Sequence, residues 1–235
     1  GISMNFANVG IPVKILEMDQ AALDKGLGIV RKNYEASAWK GRISSEDVDV
    51  RMGLIEGTTN YSDLKDVDLV IEAVFENMDV KKEVFSKLNE TVSENTILAS
   101  NTSYLDIDEI ATVVDNPERV LGMHFFSPAN IMRLLEIIKA EKTSPAILAT
   151  VLKLAKSIKK VGAVAGVCHG FIGNRMLTGY SREANLLVLE GAPPEQVDRV
   201  LYEFGMPMGV IAMADMAGID IGTRLRQQMD ESDYD

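Results

Sequence analysis

Cysteine is almost missing from these 235 residues, Cys168 being the single one, so no intrachain disulfide can form and a reducing compartment is the default. Histidine is nearly as scarce, with His124 and His169 alone. Two histidines and one cysteine make no zinc-type constellation, and no metal is expected. No apolar run reaches the ~20 residues of a membrane-spanning helix, and no signal-peptide pattern opens the chain. Basic residues are in deficit, Lys+Arg 24 against Asp+Glu 35, for a formal charge of -11. Such a surface repels nucleic acid and anionic lipid, which excludes non-specific binders of either. A local basic pocket for a phosphorylated small molecule stays open. The expectation is a soluble protein of the cytoplasm, or of an organellar matrix in a eukaryotic source, long enough for one large domain or two modest ones.

What the chain does have is an alternation of helix and strand signals. Residues 1–8 carry helical spacing (Ile2, Phe6, Val9), Gly10 is a natural stop, and residues 13–16 form a short apolar strand closed by Glu17. Helix, turn, strand, acid is the second half of a dinucleotide-binding unit, in which the acid hydrogen-bonds the adenosine ribose. The glycine-rich turn that would cradle the pyrophosphate is expected just ahead of residue 1, so the sequence reads as truncated at its front. Asp19 is placed to cap a helix through about residue 37, and Ser44-Ser45-Glu46-Asp47 to open another. Residues 53–58 are weakly strand-like, and residues 61–66 a short helix or turn. Residues 68–75 form a nearly continuous apolar strand of the kind buried on both faces of a parallel sheet. A helix over 78–92 and strands over 96–100, 119–123 and 134–138 follow, then a helix over 144–160 and a last strand over 161–166.

Gly166, Gly170 and Gly173 mark a hinge, and beyond it the pattern is helical: 172–189, 194–204, and a last helix from about 211. The acidic run at 230–235 reads as a frayed or cut end. The expected architecture is therefore α/β: a doubly wound sheet over residues 1–166, lacking its first strand and glycine-rich turn, then a small all-helical domain over 167–235.

In doubly wound sheets ligands sit at the carboxyl ends of the strands, where Glu76, Asn101, Ser103 and His124 fall. His124 closes one short strand and Glu136 lies inside the next apolar run; if the strands pair, the two side chains can meet. A carboxylate on one ring nitrogen fixes the tautomer and makes the other nitrogen a proton acceptor. His124 as a satisfied core histidine and Glu136 on a solvated face are the competing readings. Ser103 can equally cap a helix from Leu105 onward, and Asn174 can be a surface residue early in a helix. His169 and Cys168, in the hinge, read as structural.

Five stretches in order resemble the 3-hydroxyacyl-CoA dehydrogenase family, across nearly the whole chain. They are Val70-Ile71-Glu72-Ala73-Val74-Phe75-Glu76-Asn77, Ala99-Ser100-Asn101-Thr102-Ser103, Gly122-Met123-His124-Phe125-Phe126-Ser127-Pro128, Gly170-Phe171-Ile172-Gly173-Asn174-Arg175 and Phe204-Gly205-Met206-Pro207-Met208-Gly209. The wording is most like the dehydrogenase section of multifunctional fatty-acid β-oxidation proteins. The resemblance implies a Rossmann-type sheet and NAD-dependent oxidation of L-3-hydroxyacyl-CoA to 3-ketoacyl-CoA. His124 would be the general base and Glu136 its partner; Ser103 and Asn174 would bond the reacting oxygens, with Ser103 also helping to place the cofactor. Glu17 matches the ribose-binding acid, pointing to NAD over NADP, and Glu76, Lys81 and Asn101 match the cofactor side. Gly1 matches the last glycine of the family's turn, and Val210 stands where the family usually has proline. A homodimer, or packing against a further helical domain, would cover the helical part.

Two other functions compete. Related β-hydroxyacid dehydrogenases generally use a lysine in place of a His/Glu pair, and a crystallin-like member of the fold would bind without turning over. The intact set Ser103, His124, Glu136 and Asn174 argues against the second. Reading the front as truncated predicts that NADH oxidation with acetoacetyl-CoA is weak in this chain and recovers when a strand and glycine-rich turn are added before Gly1. Equal rates with and without them would overturn that reading.

Overall fold

The computed structural model describes residues 1–218. They divide into two compact units, Gly1–Ile172 and Gly173 onward.

In the first unit, local signals set the elements. α1 (Ile2–Ala7) ends before Gly10, whose φ of +82° is open to a residue without a Cβ. After β1 (Val13–Leu16), α2 (Gln20–Trp39) starts under the carboxylate of Asp19, which accepts from Ala22 N at 2.9 Å. α3 (Ser45–Met52) opens on a capping box: Ser44 Oγ accepts from Asp47 N, and the Asp47 carboxylate accepts from Ser44 N. β2 (Ile55–Thr58) then pairs parallel to β1.

Beyond a 3-10 turn at Tyr61–Leu64 comes a second sheet. Its elements are β3 (Leu69–Glu72), α4 (Met78–Thr91), β4 (Ile97–Ser100), α5 (Ile107–Ala111), β5 (Val120–Phe125), β6 (Leu134–Lys139), α6 (Pro145–Ser157) and β7 (Val161–Gly166). The strand order is β3-β4-β5-β6-β7, and every neighbouring pair is parallel except β5 with β6. Alternate residues along a strand enter different cores. Leu98 and Val120 pack with Phe85 and Leu88 of α4 and with Ile107 and Ile110 of α5. Ala99, Leu121 and Met123 pack on the other side with Val151 and Ala155 of α6 and Phe6 of α1. Helices thus cover both faces, the doubly wound arrangement, and each fully buried Leu, Ile or Phe stabilises it by about 1.5–3 kcal/mol. The β1-β2 pair shares no ladder with the larger sheet among the described residues; β1 joins it through side chains, Val13 in one core and Leu16 in the other.

Two strands differ from the expectation. β3 stops at Glu72, and Phe75 beyond it is 85% exposed. The chain turns there because Val74 N donates back to Glu72 Oε1 at 2.6 Å, and β3 pairs on one side only, with β4. β5 runs past Met123, so His124 lies inside a ladder and not beyond its end. The cause is β6, whose antiparallel register extends from Gly122↔Ile138 to Phe125↔Leu135.

The second unit holds α7 (Gly173–Leu189), α8 (Pro194–Phe204) and α9 (Val210–Ala217). Asp198 of α8 caps α9, its oxygens accepting from Ile211 N at 2.9 Å and Ala212 N at 2.8 Å. The acidic run at 230–235 lies outside the described residues. Among the described residues no helix is long and apolar enough to cross a membrane.

One glycine holds the sheet together at its centre. A Cβ on Gly122 would stand 2.8 Å from Ile138 Cβ and 2.9 Å from Ile138 Cδ1. Gly122→Ala is expected to cost about 1–3 kcal/mol by overpacking, read as a lower urea midpoint. An unchanged midpoint would mean that β6 yields freely there.

Candidate active site

Directly opposed residues of an antiparallel pair bring their side chains together on one face, and His124 and Glu136 are such a pair. Nδ1 of His124 lies 2.7 Å from Oε2 of Glu136. A carboxylate offers only acceptors, so Nδ1 carries the hydrogen and Nε2 presents its lone pair. Both residues are buried, Glu136 at 0% and His124 at 4% exposure. A charge in such a place is costly unless its oxygens are bonded. Oε1 of Glu136 accepts from Ile172 N at 3.0 Å. Phe126 and Phe171 flank the imidazole, with ring centroids 4.4 and 6.0 Å away. Nε2 takes no hydrogen bond among the described residues.

The turn that follows β4, Asn101-Thr102-Ser103, is tied on two sides. Asn101 N donates to Glu72 O at 2.7 Å, and Asn101 Oδ1 accepts at 2.8 Å from Phe125 N, next along β5 from His124. Turn and histidine strand are thereby held in register. Oε1 of Glu76 accepts from Ser103 N at 2.8 Å, from Tyr104 N at 3.1 Å and from the Thr102 hydroxyl. Ser103 does not cap the following helix; Asp106 does, accepting from Asp108 N and Glu109 N. The half-buried Ser103 hydroxyl takes no hydrogen bond among the described residues. Burial, and then the Glu76 charge, push the Tyr104 phenol above its ordinary pKa, so it stays protonated over the turn.

A cavity of about 320 Å³ opens beside this turn, lined by Gly1, Asn33, Asn101, Phe125, Ser127 and Asn130 among others. Its amides and hydroxyl offer both donors and acceptors, which suits a polar ligand with an aromatic or apolar part against Phe125. The 127–130 loop is anchored from below by Lys160, whose Nζ donates to Ala129 O at 2.5 Å and Met132 O at 2.6 Å. Burial lowers the pKa of that lysine. Ala129 O also accepts from Asn5 Nδ2 at 3.0 Å, which fixes α1 against the same loop.

Glu17 closes β1 with an exposed carboxylate, one oxygen accepting from Met18 N at 3.0 Å. Its position at a strand end fits a ribose diol. Lys81, expected to line the cofactor side, is 1% exposed. Its ammonium donates to Glu72 Oε1 at 2.8 Å and lies 3.5 Å from Glu76 Oε2, so two carboxylates turn it into the fold. Asn174 belongs to the second unit, half-buried in the first turn of α7, where its carbonyl accepts from the Thr178 hydroxyl at 2.9 Å. Among the described residues no three His, Cys, Asp or Glu side chains are grouped to share a metal ion.

Sequence reasoning passed over Glu72, Ser127 and Lys160. A glutamate inside the apolar run Leu69-Val70-Ile71, with a lysine on the next helix, was a readable signal of a buried ion pair. For Ser127 and Lys160 no local pattern reports the loop they meet in.

Comparison with known proteins gives a consistent assignment. Residues 1–168 match the NAD-binding domain of 3-hydroxyacyl-CoA dehydrogenase, and residues 170–235 match the C-terminal domain of the same family. The peroxisomal bifunctional enzyme of Cavia porcellus is 44% identical over 228 residues, covering 97% of this chain and 31% of that protein. The peroxisomal fatty acid beta-oxidation multifunctional protein of Arabidopsis thaliana is 38% identical over 232 residues, covering 99% and 32%. The chain thus spans about a third of the length of these curated relatives. The solved (S)-3-hydroxybutyryl-CoA dehydrogenase from Ralstonia eutropha has a TM-score of 0.89 at 36% identity, over 93% of this chain and 78% of that one. With both of its domains matched in order, this chain belongs to the 3-hydroxyacyl-CoA dehydrogenase family.

Proposed function

We propose that the chain carries the dehydrogenase step of fatty-acid β-oxidation, in which an L-3-hydroxyacyl-CoA becomes the 3-ketoacyl-CoA. The observation that carries this is the 2.7 Å contact between His124 Nδ1 and the fully buried Glu136, which leaves Nε2 as the ring's acceptor. His124 is the general base. Its Nε2 takes the proton of the 3-hydroxyl as the C3–H bond breaks, and the electron pair left on oxygen becomes the second bond of the carbonyl. The imidazolium so formed faces Glu136, whose charge offsets it as it develops. Ser103 and Asn174 donate to the substrate oxygens and hold them for that transfer. NAD, when bound, supplies the acceptor for the hydride from C3, with Glu17, Glu76, Asn101 and Ser103 as the residues proposed to hold it. A carboxylate at Glu17 accepts from a 2'-hydroxyl and repels a 2'-phosphate, which favours NAD over NADP. Lys81 acts on this set from beneath, through Glu76.

The proposed division of labour gives residues 1–166 to the cofactor and residues 167–235 to the helical domain. In the second unit Leu189 is 83% and Phe204 84% exposed, which supports cover by a second copy or by a further helical domain. The relatives from Cavia porcellus and Arabidopsis thaliana are named peroxisomal, so an organellar matrix of that kind is proposed in place of the plain cytoplasmic expectation.

His124→Gln is expected to abolish NADH oxidation with acetoacetyl-CoA while NADH binding stays nearly intact. Near-normal turnover would sink the assignment of the base, and NADH binding without turnover in the unaltered natural protein would favour the binding-only reading. Glu136→Gln leaves one amide oxygen where His124 Nδ1 and Ile172 N each had a carboxylate oxygen. It should cost about 1–3 kcal/mol in thermal or urea unfolding. It should also mix the His124 tautomers, read from the ring 15N shifts; a tautomer unchanged from the parent would show that something other than Glu136 sets it.

A further inference from the structure

Glu72 lies outside the proposed reaction, yet three bonds converge on it. Oε1 accepts from Lys81 Nζ at 2.8 Å and Val74 N at 2.6 Å, and Oε2 accepts from Ser100 Oγ at 2.7 Å. The residue is 4% exposed, at the end of β3, in register with Ser100. A buried ion pair adds little net stability over an apolar pair of the same volume, so convergence of this kind acts mainly on geometry.

Two routes lead from Glu72 to the turn that bears Ser103. Through Ser100, whose Oγ also accepts from Thr102 N at 3.3 Å, it holds the start of the turn. Through Lys81 it acts on Glu76: one ammonium is shared by two carboxylates, nearer to Glu72 than to Glu76 at 2.8 against 3.5 Å. Drawn to Glu72, Lys81 leaves Glu76 Oε1 facing the N–H groups of Ser103 and Tyr104. We propose that Glu72 is a positioning residue for Ser103, dividing the Lys81 charge so that Glu76 and Ser100 hold the Asn101–Thr102–Ser103 turn in its working shape. The inference rests on the reading of Ser103 as a donor to the substrate.

Glu72→Gln and Ser103→Ala, made singly and together in the natural protein, test it by acetoacetyl-CoA reduction with NADH and by amide hydrogen exchange. With Glu72 neutral, Lys81 turns to Glu76 and loosens the turn. The expected result is a kcat lower by about 10-fold with KM changed by no more than about 2-fold, and faster exchange at Ser103 and Tyr104. Added to Ser103→Ala, Glu72→Gln should lower kcat no further. Ser100→Ala removes two hydrogen bonds and no charge, and carries the same test if Glu72→Gln fails to fold: its smaller loss should also vanish in the Ser103→Ala background. Losses that multiply in the double variants, with Ser103→Ala itself impaired, overturn the inference and leave the role of Ser103 standing. An unimpaired Ser103→Ala overturns both.

Discussion

A carboxylate with no exposed surface has to be bonded by the protein, and among the bonds Glu136 makes are those to the imidazole of His124 and the backbone of Ile172. Both bonds require that β6 run antiparallel to β5 in one register. A slip of one residue would turn Glu136 to the other face, into a core of Leu and Ile side chains, at a cost the sheet could not bear. Gly122 makes this register reachable, since a larger residue would collide with Ile138. The charge, the glycine and the histidine are thus one constraint seen at three positions.

A second layer of the site is built on hydrogen bonds and not on packing. Asn101 ties the end of β4 to both neighbours, through Glu72 O on one side and Phe125 N on the other. Glu76 supports the Ser103 turn from below, and Lys81 joins that carboxylate to Glu72. Asn101 and Ser103, the side chains proposed to face the ligand, are held by groups that lie behind them. Distance from the cavity therefore says little about importance for its shape.

The local elements were largely legible in the sequence because their signals are local. Asp19 and Ser44 cap helices, Gly10 turns where φ is positive, and the strand at 161–166 needs no revision, whereas the cap of α5 falls to Asp106 and not to Ser103. The meeting of His124 and Glu136 was legible as a condition, since two short apolar runs can pair. Their antiparallel sense was written in the short connection between them, too short for a helical crossover. What escaped was decided by tertiary neighbours: β3 ends early because it pairs on one side and Glu72 calls back Val74, and Lys81 turns inward because two carboxylates await it. Neither partner is within reach of a reading by period or spacing. Asn174 and its motif were recognised by resemblance, and their chemistry is proposed on that ground.

The antiparallel pair also differs from the rest of the sheet in how it comes together. His124 and Glu136 are 12 residues apart, whereas β3 with β4, β4 with β5, and β6 with β7 are each joined across a helix. Loop closure costs least, and contacts form soonest, where the intervening chain is short. His124 and Glu136 can therefore assemble as a hairpin before the parallel strands dock, while the Ser103 turn must wait for the β4–β5 crossover. Early in folding this leaves a histidine already oriented in a site that has not yet acquired the groups to use it.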